Sequence, residues 1–315
     1  MESELKTRID ALEAKYAVSG QALLDYLDGL VETDYLKYWD YIHLDTLLSL
    51  QSPRTKHHDE PIFIMYHQIT ELYFKLCLHE LKDVIESEGM DATLMEERLR
   101  RCNTYFKALD NSFSIMVDGM DRKQFLKFRM ALLPASGFQS AQYRMIEMAC
   151  APLNQLVHID HRQEMAEEKD VTTLFKKLYW QSGATIAATG EKTLTLIQFE
   201  EKYATGFQAQ ASQWAGRTVS HRMADLTEAG KMTEGLREQA RAFDRHVNVL
   251  WPLSHYKSAV RYLAKKPADV RATGGTNWQK YLPPRMQLRI FFPHMWTQTE
   301  KDAWGTLPSK PSVNK

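Results

Sequence analysis

Several features that would assign this chain to a large class are missing. Its 315 residues hold three cysteines, Cys77, Cys102 and Cys150, and no C-x-x-C pair. A disulfide framework is excluded, and three reduced thiols in the core of a cytoplasmic protein are expected instead. No C-x-x-C-H occurs, so any haem is held without thioether links. Neither sign of charge dominates, with Lys+Arg and Asp+Glu both at 40. Broad attraction to nucleic acid or to an anionic membrane therefore has no electrostatic basis. No apolar run approaches the roughly 18 residues of a membrane span. The first residues, MESELKTRID, lack the apolar core of a signal peptide. Alternating strand pairs, repeats and low-complexity tracts are absent too.

What remains is a helical pattern. Ile9, Leu12 and Tyr16 recur at helix spacing, and Leu23, Leu24, Leu27 and Leu30 follow after Ser19-Gly20. YLKYWDYIHLDTLLSL reads as a further helix, stopped by Pro53. Asp59 and Glu60 are placed to cap the next one, with Pro61 in its first turn. Helices are also expected over ATLMEERLRRCNTYFKALDNSFSIMVDGM and RKQFLKFRMALL, before a loop marked by Pro134 and Gly137. Residues 160–235 read as helices with polar surfaces. A kink or restart is expected at Pro252 in the segment from Thr233 to Lys265. These patterns predict one all-α domain over residues 1–315, with N-terminal helices over 1–34 and a mobile tail over 305–315.

Four features can carry chemistry. The first is PIFIMYHQITELYFKLCLHEL, a helix apolar almost all round. Ile62, Met65, Ile69, Leu72 and Leu76 form one stripe, and Phe63, His67 and Phe74 lie on another face. Two apolar faces predict a buried helix, so His67 is either a core histidine satisfied by a carbonyl or carboxylate, such as Glu71, or a group put to use. The second is His255 in LWPLSHYKSAVRYL, which shares its face with Trp251, Ala259 and Tyr262. That surface suits a flat cofactor with imidazole as metal ligand, and equally a plain core histidine. His246 falls half a turn out of phase and is expected on another face. Third, Arg129 stands among apolar residues, as an ion-paired side chain or as a clamp for a substrate carboxylate. The fourth is ATGGTN, whose glycines permit close backbone approach but match no nucleotide fingerprint. The histidine clusters HHDE (57–60) and HIDH (158–161) supply too few ligands for zinc and read as a helix cap and a solvated turn.

Taken in order, YWDYIHLDTLLSLQ, HHDEPIFIMYHQITELYFKL, KFRMALLPASGFQSAQYRMIE, WPLSHYKSAVRYL and RATGGTNW resemble the tryptophan 2,3-dioxygenase family. The resemblance covers residues 35–150 and 240–280, about half the chain, and is loose over 151–235. It implies an all-helical homotetramer that binds haem b non-covalently and opens the indole ring of L-tryptophan with O2, giving N-formylkynurenine. By motif, His255 would be the proximal ligand of the haem iron, with Ser136 and Gly137 bordering the haem. His67 would hydrogen-bond the indole N–H, and Phe63 would pack on the ring. Arg129 would pair with the substrate carboxylate, and Thr273 would contact its ammonium. Tyr38, Tyr41 and Ile42 match a segment that reaches into a neighbouring subunit's pocket. Phe125 stands where some members have tyrosine, and extra residues around KKPAD separate His255 from the glycine loop. Relatives with the same haem bundle hydroxylate aromatic amino acids, and a non-catalytic haem or tryptophan sensor is the other alternative.

Overall fold

The computed structural model describes residues 2–18, 20, 22–33, 37–132, 137–186, 189–263 and 283–306. Ser136, Thr273, the ATGGTN loop and all but the first residues of the tail lie outside them. Among the described residues there is no strand, only the isolated bridges Val157↔Leu178 and Thr185↔Lys192. The all-α expectation holds. No described helix is long and apolar enough to cross a membrane.

Two units are formed, Met1–Ser52 and Pro53–Lys315. The first carries α1 (Glu2–Ala17), α2 (Leu23–Val31), α3 (Tyr38–Tyr41) and α4 (Leu44–Leu48). Tyr16 stacks on Tyr26, with ring centroids 4.1 Å apart. The single helix expected over residues 35–50 is two short turns instead. His43 between them takes a left-handed conformation, φ 52°, which the hydrogen-bond ladder of a helix cannot pass through.

In the second unit α5 (Asp59–Glu86) is the longest element. It packs on α6 (Ala92–Ser112) and touches α7 (Ser114–Val117) and α8 (Arg122–Phe128); a 3-10 turn, Arg129–Leu132, extends α8. Further along come α9 (Ala141–Cys150), the short α10 (Ile159–Arg162), α11 (Val171–Phe175) and α12 (Tyr179–Ser182), then α13 (Leu194–Gln213) and α14 (Val219–Glu228). Among the described residues the last two long helices are α15 (Glu234–Arg245) and α16 (Trp251–Leu263). Asp91, Asp121, Ser140, Thr193 and Thr233 cap their helices by accepting from backbone N–H groups one turn on. Phe74, Leu81, Leu99, Phe106, Ile146 and Phe243 anchor a core shared by α5, α6, α9 and α15. All three cysteines are buried thiols. The stretch read as polar-surfaced helices adds Phe175, Trp180, Phe199, Phe207 and Trp214 to this core. Its elements up to residue 193 are too short to show a helical period.

Two expectations about α5 are corrected. Asp59 and Glu60 do not cap it, because His58 precedes the helix with no side-chain cap bond. Glu60 instead accepts from the N–H groups of Arg54 (2.7 Å) and Thr55 (2.8 Å), tying down the incoming loop. Asp59 accepts from Asp121 N–H at 2.6 Å and so fastens the start of α8. Nor are both apolar faces buried. Tyr66, Thr70, Phe74 and Cys77 face the interior, while Met65, Ile69, Leu72 and Leu76 are each 42–47% exposed.

Between α15 and α16 one π-turn, His246–Leu250, sits where the kink was expected. Trp251 N–H donates to His246 O across it, so Val247 O would next need the N–H of residue 252. Pro252 has none, and the Tyr143 hydroxyl donates to Val247 O instead, at 2.7 Å. Arg289 donates to Tyr143 Oη at 3.2 Å and pairs with Glu147, which Arg144 also contacts at 3.0 Å. The start of α16 is therefore pinned by a buried polar cluster.

Asp244, at the end of α15, is wholly buried and accepts from Phe291 N–H (2.9 Å), Trp296 Nε1–H (2.9 Å) and Asn248 (2.7 Å). Burial nevertheless lifts its carboxyl from the ordinary 3.8 to about 6, the hydrogen bonds offsetting only part. The folded state then holds this proton more tightly than the unfolded chain does. Stability from this group is present at low pH and lost as pH rises through about 6, by on the order of 3 kcal/mol. The unfolding free energy of wild type minus that of Asp244→Asn should fall between pH 4.5 and 7.5. A constant difference across that range would remove the effect.

Candidate active site

A second, smaller apolar cluster brings together the first half of α5 with α7, α8 and α16, around Tyr66, Phe113, Met116, Met120 and Tyr262. Phe63, His67, Phe125 and His255 lie in or beside it. Phe63 and His67 lie one turn apart on α5, with ring centroids 4.1 Å apart. Phe125 (6.2 Å) and Phe128 (5.8 Å) of α8 also approach the Phe63 ring. Phe125 also packs on Tyr262 at 4.6 Å. This position has a ring and no hydroxyl, and its ring is used to join α8 to α16.

His67 is exposed, and desolvation by the protein around it pushes its pKa below the ordinary histidine value. Its Nδ1 lies 2.7 Å from Phe63 O. A carbonyl only accepts, so Nδ1 carries the proton and Nε2 is left with a free lone pair. The neutral ring therefore keeps one acceptor nitrogen. Glu71 is not its hydrogen-bond partner. Glu71 Oε2 and its backbone carbonyl accept from Gln142 Nε2 (2.9 and 2.7 Å), joining α5 to α9, and the carboxylate acts on His67 only through its charge.

His255 is half-buried on α16, with Phe113 at 6.4 Å between ring centroids. Among the described residues its ring has no hydrogen-bond partner. Desolvation, with a smaller contribution from the proximity of His67, lowers its pKa to about 4, so two neutral imidazoles share one region. Gly137 closes in edge-on. A Cβ there would come within 2.7 Å of His255 Cε1 and 3.5 Å of Nε2. His246, as expected, is elsewhere and contacts Asp110 at 3.1 Å.

Arg129, in the 3-10 turn after α8, is only 4% exposed, and burial lowers its pKa without discharging it at any ordinary pH. Neighbouring Phe128 brings that turn against Phe63. Tyr38 and Tyr41 are exposed and Ile42 is half-buried, all in the first unit. Phe128 and Phe113 escaped the sequence reading, since an extra phenylalanine in an apolar helix carries no mark of a site.

No group of three or more His, Cys, Asp or Glu side chains converges among the described residues, so a metal held by protein ligands alone finds no cage there. A single neutral imidazole with an uncommitted nitrogen, beside a glycine and aromatic walls, suits a metal that brings its other ligands with it. Haem fits that donor set.

The sequence model of the tryptophan 2,3-dioxygenase family matches residues 28–225. The tryptophan 2,3-dioxygenase of Polaromonas naphthalenivorans is 29% identical over 265 residues, 83% of this chain and 90% of that protein. Those of Exiguobacterium sibiricum and Geobacillus thermodenitrificans are each 28% identical, over 87% of this chain and 97% and 96% of their own length.

Proposed function

The chain belongs to the tryptophan 2,3-dioxygenase family, and we propose that it opens the indole ring of L-tryptophan with O2 to give N-formylkynurenine, the first step of tryptophan degradation through kynurenine. The observation that carries this reading to particular residues is the pair of neutral imidazoles, His67 with a free acceptor nitrogen beside Phe63 and His255 with no hydrogen-bond partner among the described residues.

In this reading His255 holds the iron of haem b, and Ser136 and Gly137 border the haem. Haem b, when bound, supplies the redox chemistry with O2. The chain's own part is to bind and orient. Phe63 supports the indole ring, and His67 Nε2 accepts a hydrogen bond from the indole N–H. That proton is not removed. Indole N–H is a very weak acid, and desolvation makes His67 a weaker base than ordinary histidine, so transfer would be steeply uphill. Arg129 pairs with the carboxylate in a desolvated setting, where a charge-assisted pair is strong. Thr273 contacts the ammonium. Two fixed ends and a packed ring leave the substrate one orientation, which lowers the entropic part of the barrier. The assembly is a cytoplasmic homotetramer in which Tyr38, Tyr41 and Ile42 serve a neighbouring copy's pocket.

Haem-loaded, reduced protein incubated with L-tryptophan and air should accumulate the absorbance of N-formylkynurenine. A hydroxylated amino acid as product, tryptophan binding without turnover, or no Soret band after haem is supplied would each overturn the assignment.

A further inference from the structure

Two neighbouring residues of α9 grip the two helices that carry the imidazoles. Gln142 donates through Nε2 to the backbone carbonyl of Glu71 (2.7 Å) and to its carboxylate (2.9 Å), four residues beyond His67 on α5. Tyr143 donates its hydroxyl proton to Val247 O (2.7 Å), eight residues before His255. Gly137, in the turn ahead of α9, lies against the His255 ring. One short helix thus reaches both imidazole-bearing elements.

The Tyr143 bond has a fixed direction. Val247 O has lost its helical donor to Pro252, and Tyr143 completes the ladder at the start of α16. Arg289 is buried and can only donate, so its bond to Tyr143 Oη (3.2 Å) takes a lone pair and leaves the one hydroxyl proton for Val247. Glu147 holds Arg289 in turn, and accepts from Arg144 and Tyr179. The ring of Tyr143 has a separate task. It packs on Phe74 of α5 at 5.4 Å, and Phe74 packs on Trp251, the first residue of α16, at 5.7 Å. Apolar contact is non-directional, whereas a hydrogen bond fixes distance and angle. Packing therefore holds the three helices together, and the two α9 side chains set their register.

We infer that Gln142 and Tyr143 are positioning residues: Tyr143 sets the place of the His255 ring, Gln142 that of the His67 ring, and α9 thereby fixes the gap between the two imidazoles. The inference rests on the proposed function for its purpose, since haem and indole would occupy that gap. It also gives Glu71 a task, as the point on α5 that α9 holds.

The full-length protein supplies the test. Histidines labelled with 13C at Cε1 report each ring with or without haem, the signals being assigned by their loss in His67→Ala and His255→Ala. In the haem-free protein Tyr143→Phe, which keeps the ring and removes the hydroxyl, should shift the His255 signal more than the His67 signal. Gln142→Met should do the reverse. In haem-loaded protein Tyr143→Phe should lose haem to an excess of a scavenging globin roughly tenfold faster than wild type, the scale of an outer-shell loss. Gln142→Met should keep that rate within about twofold and raise the KM for tryptophan roughly fivefold, the scale of one hydrogen bond. Tyr105→Phe removes another hydroxyl, bonded to Glu80 at 3.3 Å in the far half of α5, and should move neither ring. A merely structural role would make all the variants change together in proportion to lost stability. Unmoved signals, both rings shifting alike in each variant, or Tyr105→Phe shifting them as much would overturn the inference. If Tyr143→Phe is recovered unfolded, Gln142→Met decides by itself: an unmoved His67 signal overturns the inference, and a shift confined to His67 upholds it. Wild type that holds no haem or makes no N-formylkynurenine sinks the proposed function and leaves the haem-free signals to judge the positioning roles. Turnover with unmoved signals sinks the positioning roles alone.

Discussion

His255→Ala should fold and hold no haem. The imidazole packs on Phe113 and makes no hydrogen bond among the described residues, so its loss leaves a modest cavity in a half-buried place. What disappears is the uncommitted nitrogen that, in the proposed function, ligates the haem iron. A pKa pushed down to about 4 means wild-type His255 is neutral and ready to coordinate throughout the physiological range. Purified variant should show no Soret band after incubation with haem, while its circular dichroism matches wild type. A variant that keeps wild-type haem content would remove His255 from the ligand role. Gly137→Ala makes a graded companion. Its methyl would meet Cε1 at 2.7 Å, so the ring must turn, and haem retention should weaken without vanishing.

Arg129→Ala should raise the KM for tryptophan on the order of 100-fold and leave that for tryptamine within about threefold. A hydrogen-bonded charge pair in a desolvated site contributes roughly 1.5–3 kcal/mol, and the carboxylate left behind bears its full desolvation cost. Tryptamine carries the same indole and ammonium but no carboxylate, so it loses nothing that Arg129 supplies. Equal losses for both compounds would mean the guanidinium supports the pocket without touching substrate. Arg129→Lys discriminates further. It keeps the charge and loses the planar fork, so partial recovery for tryptophan alone points to a paired carboxylate.

His67 shows most plainly how much could be read without coordinates. Its place on an apolar helix marked it as either satisfied or functional, and no spacing rule separates the two. The structure answers for one nitrogen: Nδ1 donates to Phe63 O, and Nε2 keeps its lone pair. Glu71 was a natural partner on paper, one turn away on the same helix. It is taken by Gln142, 71 residues downstream in sequence. The restart at Pro252 was legible because a missing N–H is a local fact. That Tyr143 would complete the orphaned Val247 carbonyl was not, since the two lie 104 positions apart.

By itself the sequence determined the helical class, the reduced thiols, the positions of most long helices and, through five ordered motifs, the family. Those are properties of short windows, where periodicity, caps and the missing proline N–H act within a few residues. Tertiary structure alone decided which apolar face of α5 meets the core, that Gly137 presses on His255, and which nitrogen of His67 stays free. Each of these depends on atoms brought together from distant parts of the chain or on a backbone carbonyl's direction. A hydrophobic stripe records that something must cover it, but what covers it is a question of packing.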